Sequence, residues 1–288
     1  MRFPHLATAL ILGTLATLLP APATAQALDD PLGPNETVHP ALLENLEYRM
    51  VGPFRGGRST AVSGFADAPH EYVMGTTGGG VWLTTDAGET WDNVADDALT
   101  VGSVGAVEVA PGDPNVIYVG TGSAGIRGNV SIGKGVWRST DRGRSWSFAG
   151  LENAGLIAKI QVDPRDPDVA FAATLGNAFA KNDDRGVYRT RDGGDTWERV
   201  LFVADSVGAV DVVMNPKNPR ELYAGMWRAE RKPWTLIEAS RDGGVWKTTD
   251  GGDKLTRLTD PSMDNVLPSS TIFGRIGLAI SPGDPLLV

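Results

Sequence analysis

Gly135-Val136-Trp137-Arg138-Ser139-Thr140-Asp141-Arg142-Gly143-Arg144-Ser145-Trp146 decides the fold, because the stretch recurs. Gly80-Val81-Trp82 leads to Thr84-Thr85-Asp86, Gly186-Val187-Tyr188 to Thr190-Arg191-Asp192, and Gly244-Val245-Trp246 to Thr248-Thr249-Asp250. Four copies spaced about fifty residues apart imply four copies of one supersecondary unit, so the repeats override any domain count based on length.

The flanks repeat as well. An alternating strand and a Pro-containing turn precede each copy from the second onward. They read Val107-Glu108-Val109 before Pro111-Gly112-Asp113-Pro114, Ile160-Gln161-Val162 before Asp163-Pro164-Arg165-Asp166-Pro167, and Val212-Val213-Met214 before Pro216-Lys217-Asn218-Pro219. A second strand follows each turn: Ile117 to Thr121, Ala170 to Thr174, Leu222 to Gly225. One repeat therefore reads strand A, Pro turn, strand B, variable loop, strand C, Asp-containing turn, strand D, which is the four-stranded blade of a β-propeller. Leu278-Ala279-Ile280 reads as a fifth strand A, Ser281 to Pro285 as its turn, and Leu286-Leu287-Val288 as the start of a strand B. The expectation is an all-β propeller of four four-stranded blades plus an incomplete fifth. Because a propeller closes by pairing its ends, this is expected to be the N-terminal part of a longer protein.

Composition agrees with short strands and tight turns: Gly 36 and Pro 19 stand against 7% aromatic residues. Arg2, the apolar run Leu6 to Leu19 and the small-x-small site Ala23-Thr24-Ala25 read as a signal peptide over 1–25, too short and too close to Pro20 and Pro22 for a membrane span. Residues 26–48 read as a linker and 49–288 as the blades. The mature chain is thus expected to be secreted or periplasmic. Cys 0 excludes disulfides, thiolate metal sites and Cys nucleophiles, and His39 and His70 are too few for a His-metal cluster or a triad. A formal charge of −9 disfavours nucleic acid and anionic membranes as partners. Gly120-Thr121-Gly122-Ser123-Ala124-Gly125 spells G-x-G-x-x-G, but a Gly-rich loop follows where the dinucleotide fingerprint needs a helix; no cofactor and no metal are expected.

The C–D turns read Thr84-x-Asp86-x-Gly88-x-Thr90-Trp91, Ser139-x-Asp141-x-Gly143-x-Ser145-Trp146 and Thr190-x-Asp192-x-Gly194-x-Thr196-Trp197. They resemble the Asp box of BNR propellers, a group of sialidases, sortilin-type receptors, xyloglucan-degrading endoglucanases and photosystem II assembly factors. In the fourth copy, Thr248-x-Asp250-x-Gly252, Lys254-Leu255 replaces Thr-Trp. Chemically the box is a turn device. Carboxylate and hydroxyl accept backbone N–H groups, Gly permits positive φ, and Trp anchors strand D between blades. An active site needs its acid once, whereas a blade needs its turn every time, so Asp86, Asp141, Asp192 and Asp250 are expected to be structural.

In an antiparallel blade the A–B and C–D turns share one end, and the B–C and D–A loops the other. Length varies in the B–C loops, Gly122 to Lys134, Leu175 to Arg185 and Met226 to Asp242, where binding residues concentrate. Arg55, Arg58, Arg127, Arg185, Arg231 and Trp234 are the expected ligand-binding residues. The basic groups suit a glycan or peptide carboxylate, and Trp234 between Arg231-Lys232-Pro233 and Glu238 suits a sugar or peptide platform.

Phe54-Arg55-Gly56-Gly57-Arg58 resembles the sialidase segment that introduces the first carboxylate-binding arginine, with Gly56-Gly57 where Ile-Pro is expected. The longer opening Tyr48 to Arg58 is similar to that of exported bacterial BNR-repeat proteins that carry the name glycosyl hydrolase. Related endoglucanases place a catalytic Asp two residues before a Gly-Gly pair; the matching stretch Thr76-Thr77-Gly78-Gly79-Gly80-Val81-Trp82 puts Thr77 there, which cannot act as a general base. The resemblance therefore implies first a sortilin-like ligand-binding or scaffold module. The alternative is a glycosyl hydrolase of sialidase or xyloglucanase type that uses carboxylates such as Asp96, Asp97, Asp183, Asp184 or Asp205 with further residues beyond Val288. No catalytic residue is assigned from the sequence.

Overall fold

The computed structural model describes residues 38–39, 42, 57–260, 262, 267, 272–285 and 288. Residues 1–25, the 26–48 linker apart from three positions, Arg55 and Leu286-Leu287 lie outside them, and with them the expected signal peptide and fifth strand B. A compact unit spans Gly56–Val288.

Among the described residues, all eighteen elements are strands. The first antiparallel sheet holds β1 (Ser59–Phe65), β2 (Ala68–Thr76), β3 (Val81–Thr84) and β4 (Asp92–Asn93) in sequential order. The second holds β5 (Val104–Val109), β6 (Ile117–Thr121), β7 (Val136–Ser139) and β8 (Ser147–Phe148), and the third β9 (Ile157–Asp163), β10 (Asp166–Thr174), β11 (Gly186–Thr190) and β12 (Glu198–Leu201). In the fourth, β13 (Val207–Met214) and β14 (Leu222–Arg228) pair ahead of a separate hairpin of β15 (Glu230–Lys232) and β16 (Thr235–Ile237), before β17 (Gly244–Thr248) and β18 (Thr256–Arg257) complete the sheet.

The first strands of successive sheets lie side by side: β5 packs between β1 and β9, and β9 against β13. Stacking covers both faces of the inner strands, so β6 is buried at every position while the last strands β4 and β8 keep exposed residues. Each junction has its own apolar core. Val73, Val81, Val104 and Ile117 join the first two sheets, Tyr118, Val136, Ile157 and Ile160 the next two, and Phe171, Val187, Met214 and Met226 the last two. Ile276, Leu278 and Ile280 pack on Val213, Tyr223 and Val245 of the fourth sheet, and the Leu278 N–H donates to the Asp211 carboxylate at 2.9 Å.

The four C–D turns share one hydrogen-bond scheme. The amides of Gly88, Gly143, Gly194 and Gly252 donate to the hydroxyls of Thr84, Ser139, Thr190 and Thr248 at 2.8–3.0 Å. Those hydroxyls donate in turn to Asp86, Asp141, Asp192 and Asp250 at 2.6–2.8 Å. The carboxylates also accept the amides of Thr90, Ser145, Thr196 and Lys254. Hydroxyls from Thr90, Ser145 and Thr196 reach the first three, and these bonds above all hold Asp86, Asp141 and Asp192 down at about 2. One detail departs from the sequence expectation: the residue after each Asp is left-handed too, at φ 62° for Ala87 and 63° for Arg142, where Gly193 and Gly251 stand in the other copies.

That residue's amide also fixes the ends of the sheets. Ala87 donates to His70 O, Arg142 to Asn115 O, Gly193 to Asp168 O and Gly251 to Arg220 O. Every C–D turn is thereby tied to the A–B turn beside it. The B–C loops emerge at the other end.

Candidate functional site

Three B–C loops merge into one layer at that end. Ala124, Ile126, Val130 and Ile132 of the second repeat, Leu175 and Ala178 of the third, and Trp227 and Ala229 of the fourth form one apolar cluster with Leu156 and Val210. The β15–β16 hairpin, which the sequence presents as an irregular loop, is drawn over this layer: the Arg231 amide donates to Ala178 O at 2.6 Å.

Arg185 differs from its expected role. It is buried, and its guanidinium donates to the carbonyls of Asn177, Ala180, Ser206 and Ala229 at 2.7–3.4 Å. Burial lowers its pKa to about 10, partly opposed by Glu230 and Asp205, so it remains charged at neutral pH and holds the loops from inside. Glu230, also buried, is paired with Arg228 at 3.0 Å and Lys232 at 3.4 Å.

Arg58 and Arg127 come together. They line a cleft of about 60 Å³ with Thr77, Ser103, Ser123 and Ser131. Its base is knitted by the strand ends of the first two sheets: Thr77 and Ser103 form an antiparallel bridge, the Thr77 amide donates to Arg58 O at 3.1 Å, and the Gly122 amide to Ser103 O at 2.7 Å. The Arg231 guanidinium lies beside Gly128, next in the chain to Arg127. Trp234, on the β15–β16 turn, is 81% exposed. Elsewhere the indole N–H groups of Trp82, Trp91, Trp146, Trp197 and Trp227 each have a backbone carbonyl partner.

The carboxylates considered for hydrolysis are dispersed. Asp96 and Asp97 line an outer groove with Arg144 and Trp146 between the first and second sheets. Asp205 pairs with Lys181 at 3.6 Å, and the carbonyls of Asp183 and Asp184 accept bonds from Arg199 and Thr174. Among the described residues no three His, Asp or Glu side chains gather as metal ligands, and no helix is long and apolar enough to cross a membrane.

A second polar site escaped the sequence reading. Lys159, Gln161, Asp211 and Arg275 line a cavity of about 520 Å³ along β9, β13 and the 275–282 segment. Beside it Gln161 Nε2 donates to Glu108 at 3.2 Å, while Gln161 Oε1 accepts the Met214 amide at 3.3 Å. Desolvation pushes Glu108 up to about 7 despite the opposing Lys159 charge. The signal was there: these polar residues interrupt strands that are otherwise apolar.

No protein-family profile matches the chain. It is 26% identical over 211 residues to a xyloglucanase of Acetivibrio thermocellus, covering 61% of this chain and 24% of that protein. It is 33% identical over 153 residues to a probable oligoxyloglucan-reducing end-specific xyloglucanase of Neosartorya fischeri, covering 51% of this chain and 18% of that one. The chain thus spans about a quarter or less of these relatives. Among solved structures, an ancestral GH74 enzyme aligns over 70% of this chain and 25% of its own, with TM-score 0.53 and 20% identity. A GH74 xyloglucanase from Xanthomonas campestris aligns over 70% and 30%, with TM-score 0.51 and 19% identity. The architecture is that of these propeller enzymes.

Proposed function

We propose that this chain is part of a carbohydrate-directed propeller of the glycosyl hydrolase kind, and that its loop-rich end holds a polysaccharide. The observation that carries the reading is the 211-residue similarity to a xyloglucanase, which favours the hydrolase alternative over a sortilin-like scaffold. In this reading the four sheets are blades, the Asp-containing turns are Asp boxes, and Leu278-Ala279-Ile280, expected as a strand but forming none in the structure, begins a fifth blade. Residues 1–25 export the protein to the periplasm or the medium.

Within this end, Trp234 is suited to stack on a sugar ring, and Arg231 of the same hairpin to donate to sugar oxygens. Hydrolysis needs two carboxylates flanking one glycosidic bond, roughly 5–9.5 Å apart. Thr77 occupies the position where the resemblance to endoglucanases places one of them, and its hydroxyl cannot serve as a base near neutral pH. That supports a second reading, a glycan-binding propeller of hydrolase descent without turnover. Calorimetric titration with xyloglucan oligosaccharides, paired with a reducing-end assay, tests both. Binding weakened by Trp234→Ala supports the glycan reading, and reducing ends released by the chain would remove the non-catalytic one. A folded chain that binds no oligosaccharide, neutral or acidic, would overturn the proposal.

A further inference from the structure

We propose that the cleft between Arg58 and Arg127 is a carboxylate subsite, so that the glycan held at this end carries uronic acid. This rests on the glycan reading above and names the ligand class.

Size comes first. A buried water needs about 10–15 Å³ of such space, so about 60 Å³ admits a carboxylate group with little to spare and excludes a sugar ring. The ring itself would lie outside, on the loop surface. Chemistry comes second. Arg58 and Arg127 line the cleft with Thr77, Ser103, Ser123, Asn129 and Ser131, and no Asp or Glu does. Ser103 and Ser123 are buried, and the Ser123 hydroxyl accepts the Gly125 amide, leaving its own hydrogen available for an anion.

Charge balance comes third. Some arginines of this acidic chain are paired with carboxylates, Arg138 with Asp168, Arg142 with Glu71 and Asp67, and Arg189 with Glu198 and Asp253. Arg58 and Arg127 form no ion pair with a described carboxylate, and Arg231 beside Gly128 adds a third cation without one. Adjacent like charges repel, and a bound carboxylate relieves the repulsion while accepting the planar two-pronged donation that a guanidinium is shaped to give. A neutral polysaccharide has no group that would do so.

The test uses the full chain and three probes in calorimetry: trigalacturonic acid, its methyl ester, and a xyloglucan heptasaccharide. The acid is expected to bind about tenfold or more tightly than its ester, and to lose that margin as salt rises. Arg58→Gln and Arg127→Gln should each remove most of the margin between acid and ester, while Arg127→Lys should retain only part of it. Equal affinity for acid and ester overturns the subsite and leaves the glycan reading standing. Failure of a folded chain to bind any of the three overturns both. Capture of a peptide C-terminal carboxylate in place of the uronate would move the cleft to a protein partner and also overturn the proposal.

Discussion

Trp146 donates its indole N–H to the carbonyl oxygen of Val94 at 2.7 Å, so a side chain of the second sheet completes the backbone of the first. Trp197 does the same one repeat later, to Ala149 O at 2.7 Å. Trp91 donates instead to Gly88 within its own turn. In the fourth repeat Leu255 takes the position and packs against the core that holds Phe171 and Val187, with no side-chain donor to offer. Trp146→Phe should therefore cost about 1–2 kcal/mol, keeping the contact with the core but leaving the Val94 carbonyl unpaired, and Trp91→Phe should cost less. Urea denaturation of the two variants checks the order, and an equal loss at both would contradict the role of the cross-sheet bond.

Ala87 stands at φ 62° where two of the other repeats carry glycine. Left-handed backbone strains a residue with a Cβ, so Ala87→Gly should stabilise by about 0.5–1 kcal/mol, offset in part by the freer unfolded chain. Arg142→Gly should not, since Arg142 also pairs with Glu71 at 2.9 Å and stacks on Phe65 at 4.3 Å. Denaturation midpoints for the two changes should move in opposite directions.

Asp86, Asp141 and Asp192 are held at about 2 by the hydroxyls and amides of their turns, below the ordinary carboxylate value of 3.8. A depressed folded-state pKa contributes stability that is present above the unfolded value and lost as pH falls through the folded one. The melting temperature should accordingly drop between about pH 4 and pH 2. Asp141→Asn should already melt several degrees lower at neutral pH and show a shallower acid transition, as differential scanning calorimetry can register.

Glu108 carries the opposite sign. Its pKa is raised to about 7 by desolvation, so the folded state binds a proton that the unfolded chain, near 4.5, gives up. Stability contributed by the protonated form should decline as pH rises from about 4.5 to about 7. Glu108→Gln keeps an acceptor for Gln161 Nε2 and removes the charge. It should raise the melting temperature at pH 8 and leave it nearly unchanged at pH 4. In the third repeat the register already places Gln161 opposite Phe171, as Glu108 stands opposite Tyr118. A variant equally stable with the parent at pH 8 would sink this assignment.

Arg185 and Arg127 separate by role. Arg185→Met would leave four carbonyls without their donor inside the loop layer and should destabilise by about 3 kcal/mol or more. Arg127→Gln, on the surface of the cleft, should change stability by about 0.5 kcal/mol at most. Chemical denaturation of both variants decides it, and similar losses would place Arg127 in the scaffold.

The repeated Gly-Val-aromatic-x-Ser/Thr-x-Asp string was sufficient to read strands, turn chemistry and the four-stranded order, because each depends on groups within a few residues of one another. The pairing of β6 with β5 and β7 is a local consequence of tight turns. Strand parity likewise placed Arg58, Arg127, Arg231 and Trp234 at the end opposite the Asp-containing turns. Burial was not legible. Arg185, Arg127 and Arg231 look alike in the sequence, each a basic residue in a B–C loop, yet the first is enclosed by carbonyls from Asn177, Ala180, Ser206 and Ala229 that lie up to forty-four residues away. The β15–β16 hairpin was hidden because its polar strands lack alternation and are positioned by Ala178 of the neighbouring repeat. The meeting of Arg58 with Arg127, and of Glu108 with Gln161, also depends on how one sheet stacks on the next. Local hydrogen bonding is written in the repeat; which polar groups lose water and which meet is set only when the sheets close on one another.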